Sequence, residues 1–449
     1  MSHNTFPDGF IWGTATSAFQ IEGAPYQGGK GESIWDRFCH TPGKVAGGDT
    51  GDTACDHYHR YKEDIALLAE LGIPNYRFSI AWPRIFPEKG KVNPEGVKFY
   101  HNLLDELANY GIEPMATIFH WDLPQWMQDE GGWASREIVP QFLEYAELLF
   151  REYGGRVNKW NTINEPWVVS MLGHGTGDNA PGHTDWYEAL TVAHHVLLCH
   201  GLTVRRYKEM GFKGDIGVVL NFTPAYAATD SEEDRAAAAR YDGYFNTWFL
   251  DPVFKGAYPA NMVAWYESKL GPLRFIQDGD LEIMNTPGDF LAFNYYSRNV
   301  LKAGNAFPLI DVDFVETDLD KTDMGWDIHP ESLYRLLTRL KEEYTQLPLY
   351  ITENGAAYDL PVVDGEVRDD IRIKYIHEHL EACHRFIREG GNLQGYYVWS
   401  FMDNFEWALG YQKRFGIVHV DYDTLVRTPK QSAKWYSEVI RRNGLPERV

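Results

Sequence analysis

Residues 159–166 read Lys159-Trp160-Asn161-Thr162-Ile163-Asn164-Glu165-Pro166, an apolar and β-branched run that closes on polar residues. Runs of this kind, bounded by polar or turn residues, are typical of short buried strands. Similar runs recur along the chain, with helix-like stretches between them. The eight predicted strands are Phe10–Ala15, Tyr76–Trp82, Pro114–Phe119, Lys159–Asn164, Ile216–Asn221, Phe290–Tyr296, Leu349–Glu353 and Gly395–Ser400.

The stretches between the predicted strands carry apolar residues at helical spacing. We predict helices over Tyr58–Leu71, Pro94–Tyr110, Arg136–Tyr153, Trp186–Met210, His329–Tyr344 and Asp370–Glu389. A final helix should begin near Thr428-Pro429, where a polar cap would precede a proline in the first turn. Two long segments, Gly173–Trp186 and Ala303–Trp326, are predicted as surface loops over one end of the strands.

The alternation of eight strands with helices predicts a fold of the α/β class, a closed parallel (β/α)8 or TIM barrel. Barrels of this kind reach such a length as one unit, so residues 1–449 are predicted to form a single catalytic domain. The main alternative is an open doubly wound sheet, which needs a glycine-rich phosphate-binding turn after its first strand. Trp12-Gly13-Thr14-Ala15-Thr16 is not a turn of that kind.

The charge of the chain limits what it can bind. With 64 Asp and Glu against 42 Lys and Arg, the formal net charge is −22. Nucleic acids and anionic membranes are bound through Lys and Arg, so neither is an expected partner. The 15 Trp, 27 Tyr and 24 Phe residues modestly favour a carbohydrate ligand, because sugar rings stack on indole faces. We therefore expect a small, neutral or cationic molecule as the partner, and leave the oligomeric state open.

Four cysteines, Cys39, Cys55, Cys199 and Cys383, are scattered without a paired spacing. This pattern fits neither a disulfide framework nor a zinc site. The segment that begins Met1-Ser2-His3-Asn4 lacks the basic start, apolar stretch and cleavage site of a signal peptide. These features predict a soluble cytoplasmic protein, and no residue pattern predicts a metal or a cofactor.

Two carboxylates stand where predicted strands end. Glu165 follows the fourth strand, and Glu353 ends the seventh. Because the active site of a barrel lies where its strands end, both should lie at one rim. A lone Glu there would most simply cap a helix or pair with an Arg, whereas a pair of carboxylates is the minimum equipment for glycoside hydrolysis. Other polar and aromatic residues at predicted strand ends are His120, Trp121, Asn294, Tyr296, Trp399, Glu406 and Trp407.

Several motifs occur in order at the predicted strand ends. They are Ala18-Phe19-Gln20-Ile21-Glu22-Gly23, Tyr76-Arg77-Phe78-Ser79-Ile80-Ala81-Trp82, His120-Trp121-Asp122-Leu123-Pro124, Thr162-Ile163-Asn164-Glu165-Pro166, Ile351-Thr352-Glu353-Asn354-Gly355 and Asn404-Phe405-Glu406-Trp407. With them the chain resembles family 1 of the glycoside hydrolases, a (β/α)8 family of retaining β-glycosidases, and looks close to its bacterial β-glucosidases. The resemblance runs from Phe10 to Lys430, essentially the whole chain.

This resemblance implies an enzyme that removes terminal β-D-glucosyl, and also β-D-galactosyl, residues from disaccharides, oligosaccharides and aryl glycosides by double displacement. It makes Glu165 the acid/base and Glu353 the nucleophile, which Arg77 and Tyr296 would orient. It also implies a cis peptide between Trp399 and Ser400. The substrate-binding residues that it implies are Gln20, His120, Trp121, Asn164, Asn294, Tyr296, Trp326, Trp399, Glu406 and Trp407.

Three other functions fit parts of the sequence. A 6-phospho-β-glycosidase of the same family would want Ser, Lys and Tyr after the eighth strand, where Glu406-Trp407 stands instead; Lys413-Arg414 is expected to form a structural ion pair. A metal-dependent barrel hydrolase could use His57-Tyr58-His59, but this triplet opens a predicted helix instead of closing a strand. A sugar-binding relative without activity would usually lack one Glu, and both motifs are intact.

Overall fold

Eight parallel strands close into a barrel in the computed structural model, which describes residues 5–446. The barrel strands are Ile11–Ala15, Asn75–Ser79, Glu113–Phe119, Lys159–Asn164, Asp215–Phe222, Phe290–Tyr295, Leu349–Asn354 and Leu393–Trp399. Each strand pairs with its neighbours in chain order, and the first pairs in parallel with the eighth. The predicted (β/α)8 TIM barrel is therefore confirmed.

The second barrel strand ends earlier than the apolar pattern predicted. It stops at Ser79, and Trp82 begins a one-turn helix, Trp82–Ile85, with Pro83 in its first turn. Proline suits that position because it has no N–H to leave unpaired there. The other predicted strands lie close to the observed ones.

Helices separate the barrel strands, and each helix predicted between strands is present. The predicted segment His329–Tyr344 is an α-helix up to Arg339 that continues as a π-helix. The α-helices are Ala18–Glu22, Ile34–Cys39, His57–Glu70, Trp82–Ile85, Pro94–Asn109, Gln125–Asp129, Ile138–Tyr153, Trp186–Glu209, Glu232–Asp242, Trp248–Lys255, Ala260–Leu270, Asp280–Met284, Pro330–Arg339, Asp370–Arg388 and Gln431–Arg442. The 3₁₀ and π segments are Ala46–Gly48, Gly132–Ala134, Val168–Thr176, Gly243–Thr247, Leu340–Tyr344 and Trp407–Leu409.

The start of the last helix was predicted wrongly. The helix begins at Gln431, and Arg427–Pro429 forms a short strand antiparallel to Val418–Val420. Antiparallel pairing with the preceding strand keeps Pro429 extended, opposite Val418, so the proline is not in the first helical turn. This strand pairing, and not the cap pattern of Thr428-Pro429, decides where the helix begins.

The two predicted surface loops are partly ordered elements. Gly173 lies inside the π-helix Val168–Thr176, and only the following residues form a loop before Trp186. The second segment contains the end of strand Asn299–Phe307 and the strand Val312–Phe314, which form a small sheet with Ala225–Ala227. This sheet was not predicted, because the exposed, glycine-containing run lacks a clear strand alternation.

The long helix Trp186–Glu209 is buried along most of its length. It crosses the short helix Asp280–Met284 closely at Gly201, where a Cβ atom would lie 2.0 Å from the carbonyl oxygen of Ile283. Absence of a side chain therefore lets the two helices approach. Within residues 5–446, no helix combines the length and the apolar character needed to cross a membrane.

We predict that Gly201→Ala lowers the free energy of unfolding by about 1–3 kcal/mol, because the added methyl group meets backbone that cannot rotate away. Thermal and urea unfolding followed by circular dichroism would measure the loss. Gly155→Ala is the matched control, since a Cβ at that position meets nothing within 4 Å. Equal stability of the Gly201 variant and the wild type would contradict the tight helix crossing.

Candidate active site

A cavity of about 530 Å³ opens where the barrel strands end. The residues that line it lie at or just after the ends of the third to the eighth strands. The sequence-predicted residues that line it are His120, Trp121, Glu165, Asn294, Tyr296, Trp326, Glu353, Trp399, Glu406 and Trp407. The structure thus brings both predicted carboxylates into one cavity.

Glu165 is held just beyond the end of the fourth strand. Its backbone has a φ of 51°, in the left-handed region that non-glycine residues rarely adopt. The backbone N–H of Glu165 donates to the carbonyl oxygen of Val219, at 2.9 Å, which ties this strained turn to the fifth strand. The residue is 6% exposed, and Nδ2 of Asn294 donates to Oε1 of its side chain at 2.6 Å.

Glu353 lies on the seventh strand and has two strong donors. Nη1 of Arg77 donates to its Oε1 at 2.7 Å, and the hydroxyl of Tyr296 donates to its Oε2 at 2.6 Å. Both oxygens are therefore satisfied within a buried ion pair. Charged hydrogen bonds of this kind favour the carboxylate over the neutral acid.

An amide network links the two carboxylates. Oδ1 of Asn164 accepts from Nη2 of Arg77 at 2.7 Å and from Nδ2 of Asn294 at 3.1 Å. Oδ1 of Asn294 accepts in turn from the hydroxyl of Thr352, at 2.8 Å. These bonds orient the side chains from four different strands, so the arrangement is fixed before any ligand arrives.

The two carboxyl groups have different electrostatic surroundings. Burial, and then the charge of Glu353, raise the pKa of Glu165 to about 8, against the opposing effects of Asn294 and Arg77. Burial also raises the pKa of Glu353 above its usual value, but there Arg77 and the Tyr296 hydroxyl favour the ionised form. Glu165 is therefore the group that holds a proton near neutral pH.

Glu406 is a third carboxyl group in the cavity. Burial, followed by the charge of Glu353, raises its pKa to about 8. Its Oε2 has no hydrogen-bond partner among the described residues, which leaves that oxygen available to a ligand. Trp407, next in the chain, packs against Trp121 at 4.5 Å and Trp35 at 4.6 Å between ring centroids. This aromatic packing fixes the loop that carries Glu406.

His120 and Trp399 form one wall of the cavity, with ring centroids 5.9 Å apart and planes at 22°. Burial, and secondarily Arg77, keep the pKa of His120 well below its usual value, so its imidazole is neutral. The peptide bond between Trp399 and Ser400 is cis, as the family resemblance implied.

The remaining predicted site residues, Gln20, Arg77 and Asn164, are fully buried and hydrogen-bond to other protein groups. Arg77 and Asn164 belong to the network that holds the carboxylates. Gln20 donates through Nε2 to Oδ1 of Asn404 at 3.0 Å and to the carbonyl oxygen of Phe405 at 2.9 Å. Its Oε1 accepts from the hydroxyl of Ser17, at 2.6 Å. Gln20 thus supports the segment that leads to Glu406.

An aromatic group on the outer side of the cavity was not predicted from the sequence. Trp167 stacks on Phe245, with ring centroids 4.0 Å apart, and Phe307 and Phe314 line the same side. Trp167 could have been noticed, because it directly follows Glu165-Pro166. The other three belong to segments whose place over the barrel depends on tertiary contacts. Asn221 also lines the cavity, and as the polar end of a predicted strand it satisfied the same criterion as Asn294.

The alternative histidine site is not at this rim. His57 begins a helix, as predicted, and its Nδ1 contacts Oδ2 of Asp64 at 2.8 Å. His59 contacts Asp56 through Nδ1 at 2.5 Å and Gln27 through Nε2 at 2.8 Å. The two histidines are thus engaged with different partners and do not converge on one point.

The chain is similar to known proteins over nearly its whole length. The model of glycosyl hydrolase family 1 matches residues 2–445. Beta-glucosidase A of Acetivibrio thermocellus is 49% identical over 99% of this chain and 100% of its own length. Beta-glucosidase A of Thermotoga maritima is 48% identical over the full length of both proteins. The crystal structure of the GH1 beta-glucosidase from Exiguobacterium antarcticum B7 superimposes with a TM-score of 0.96 at 50% identity, covering 98% of this chain and 100% of that one. This chain belongs to glycosyl hydrolase family 1.

Proposed function

We propose that the chain is a retaining β-glucosidase in which Glu165 is the acid/base and Glu353 the nucleophile. The observation that carries the proposal is the unequal surroundings of two buried carboxyl groups in one cavity. Glu353 has Arg77 and Tyr296 as donors, whereas Glu165 has only an amide donor and a pKa near 8. Relatives named beta-glucosidase and 1,4-beta-D-glucan glucohydrolase support glucosides as the substrate class.

In the first step, a carboxylate oxygen of Glu353 attacks the anomeric carbon, and the bond to the leaving oxygen breaks. Glu165 gives its proton to that oxygen, so the aglycone leaves as a neutral alcohol. Arg77 and Tyr296 keep Glu353 oriented and ionised before the attack. A pKa of Glu165 near 8 means that the proton is present at neutral pH.

In the second step, water hydrolyses the glycosyl ester of Glu353. The ester carries no charge, so the repulsion that raised the pKa of Glu165 is gone. Glu165 can then ionise, accept a proton from water, and direct the hydroxide to the anomeric carbon. The same residue thus serves as acid and then as base, as double displacement requires.

Glu406 is proposed to bind the outer hydroxyl groups of the sugar. Its Oε2 has no partner among residues 5–446, and burial together with the charge of Glu353 raises its pKa, so this carboxyl group would gain from hydrogen-bond donors on a ligand. Sugar hydroxyls that donate to both oxygens would favour the carboxylate form. Because one carboxylate can accept from two neighbouring hydroxyls, either orientation of the sugar O4 can be accommodated, which extends the proposed substrates to β-galactosides.

The 6-phospho-β-glycosidase alternative has little structural support. Arg414 donates to Asp403 at 2.9 Å, as expected of a structural ion pair, and Lys413 donates to the carbonyl oxygen of Asp323 at 2.7 Å. Neither residue lines the cavity described above, where a phosphate on the sugar would meet Glu406. We also propose a cytoplasmic location, because the four cysteines are buried as free thiols.

We predict that Glu353→Ala lowers kcat by about four decades or more, equivalent to over about 5 kcal/mol of barrier, since the proposed nucleophile is removed. Glu165→Ala should keep glycosylation of substrates whose leaving groups need no proton. Added azide should rescue this variant as the β-glycosyl azide. Glu63→Ala, which removes an exposed carboxylate, is the control and should match the wild type. An α-glycosyl azide from the Glu165 variant would mean that the two roles are exchanged.

We predict that kcat/KM for an alkyl β-glucoside falls as the pH rises through about 8, because Glu165 loses the proton that it must donate. A dinitrophenyl glucoside should show a much weaker basic limb. Infrared titration of Glu353→Gln should give a lower pKa for Glu165, since a neighbouring negative charge is removed. The Glu406→Gln variant should keep the fall in kcat/KM at high pH. If that fall disappears in this variant, it reports the titration of Glu406 and not of Glu165.

We predict that nitrophenyl β-glucoside and β-galactoside both turn over, with kcat/KM values within about two decades, or less than about 3 kcal/mol. The 6-phospho-β-glucoside should be poor, because its phosphate would approach Glu406 in a partly dry cavity. The measurement is kcat/KM for all three substrates in one buffer. A preference for the phosphorylated sugar would overturn the proposed role of Glu406.

A further inference from the structure

A second cluster of ionisable side chains lies outside the site described above. It consists of His174, His183 and Glu188, whose nearest ligand atoms lie within 4.8 Å of one another. His174 belongs to the π-helix Val168–Thr176, and Glu188 to the first turn of the helix Trp186–Glu209. The loop between these two helices carries His183. The cluster therefore spans three consecutive parts of the chain.

Backbone hydrogen bonds fold the loop back onto the π-helix and hold the cluster together. The N–H groups of Gly182 and His183 both donate to the carbonyl oxygen of Gly173, at 3.2 and 3.0 Å. The N–H of Asp185 donates to the carbonyl oxygen of His174, at 2.7 Å. Because these contacts do not involve the three side chains, they bring the side chains together independently.

The orientation of His174 leaves a buried nitrogen without a partner. The residue is 1% exposed, and its Nδ1 lies 3.2 Å from the carbonyl oxygen of Val169. A carbonyl can only accept, so Nδ1 carries the proton and Nε2 carries a lone pair. Within residues 5–446, Nε2 has no hydrogen-bond partner. Such a nitrogen is costly to bury unless something binds it.

The atom that Nε2 of His174 faces is also an acceptor. Oε1 of Glu188 lies 3.8 Å away, beyond hydrogen-bond distance, and also contacts Nδ1 of His183 at 2.6 Å. A lone pair and a carboxylate oxygen that face each other at this distance are suited to a cation between them. A metal-bound histidine commonly donates its other N–H to a backbone carbonyl, as His174 does to Val169.

We propose that His174, His183 and Glu188 bind a divalent transition-metal ion such as Zn²⁺, with water as the fourth ligand. Two imidazoles and one carboxylate are a donor set that this ion prefers. Tetrahedral bonds of about 2.0–2.2 Å place the ligand atoms roughly 3.3–3.6 Å from each other, whereas here these atoms lie within 4.8 Å of one another. Side chains of His183 and Glu188 are 43% and 27% exposed, so they can move the short distance needed.

The proton balance of the proposed site is simple. Burial lowers the pKa of His174 to about 3, so this ligand is already neutral. When Nδ1 of His183 binds the metal, it loses its hydrogen bond to Glu188. The imidazole then carries its proton on Nε2, which is the other tautomer. Only Glu188 contributes a negative charge. No covalent bond is made or broken within the protein.

The ion would join the loop to both of the helices that flank it. Val168, Leu172 and Thr176 of the π-helix and Asn179 of the loop line the cavity that holds Glu165 and Glu353. Metal binding would therefore stabilise this wall of the cavity without contacting the two carboxylates. The site does not depend on the proposed substrate or on the catalytic roles.

The test uses the full chain after dialysis against a chelator, titrated with Zn²⁺ by calorimetry and by thermal unfolding. His183→Ala and Glu188→Gln change side chains that are partly exposed, so both variants should fold. His59→Ala is the matched control, because it removes an exposed histidine that contacts a carboxylate but, within residues 5–446, belongs to no group of three possible ligands. Mg²⁺ serves as the control ion, since it prefers oxygen ligands.

We expect one Zn²⁺ per chain and a higher Tm with Zn²⁺, but not with Mg²⁺, for the wild type and His59→Ala. His183→Ala and Glu188→Gln should bind Zn²⁺ at least about tenfold more weakly. Crystals soaked in Zn²⁺ should show anomalous density between the three side chains. Equal affinity of either variant and the wild type, or zinc found only at the catalytic carboxylates, would overturn the proposal.

Discussion

The buried guanidinium of Arg77 holds the centre of this protein together. It comes from the second barrel strand and donates to Glu353 on the seventh strand and to Asn164 on the fourth, each at 2.7 Å. A carboxylate in a dry interior is costly unless a cation and hydrogen-bond donors accompany it. Arg77 therefore allows Glu353 to be buried as an ion. It also couples three strands that are distant in sequence.

The contrast between the two carboxyl groups follows from this placement. Glu353 lies beside the guanidinium cation and accepts a hydrogen bond from the Tyr296 hydroxyl. Glu165 accepts a hydrogen bond from the amide of Asn294 and is repelled by the charge of Glu353. Two side chains of the same type thus hold different protonation states in one cavity. Acid–base catalysis at neutral pH needs such a difference in protonation state, and here the side chains around each carboxyl group produce it.

A second buried charge supports the far side of the cavity. Asp403 accepts from Nζ of Lys430 at 2.7 Å and from Nη1 of Arg414 at 2.9 Å. It also accepts from the backbone N–H of Gly416, at 3.0 Å. Asp403 lies shortly after the eighth strand, close in sequence to Glu406 and Trp407. The ion pairs therefore anchor the segment that carries these residues to the C-terminal part of the chain.

The sequence alone determined the barrel and the pair of carboxylates, because both are local signals. Short apolar runs mark the strands, and the polar residue at the end of each run marks the rim, so Glu165 and Glu353 could be placed together before any contact was known. Tertiary structure decided what depends on distant partners. Gln20, near the start of the chain, hydrogen-bonds to Asn404 and Phe405 near its other end. Glu353 likewise meets Arg77 and Tyr296 only in the folded barrel, since neighbours across the fold, not neighbours in the chain, set the hydrogen bonds and the charge that a buried side chain meets.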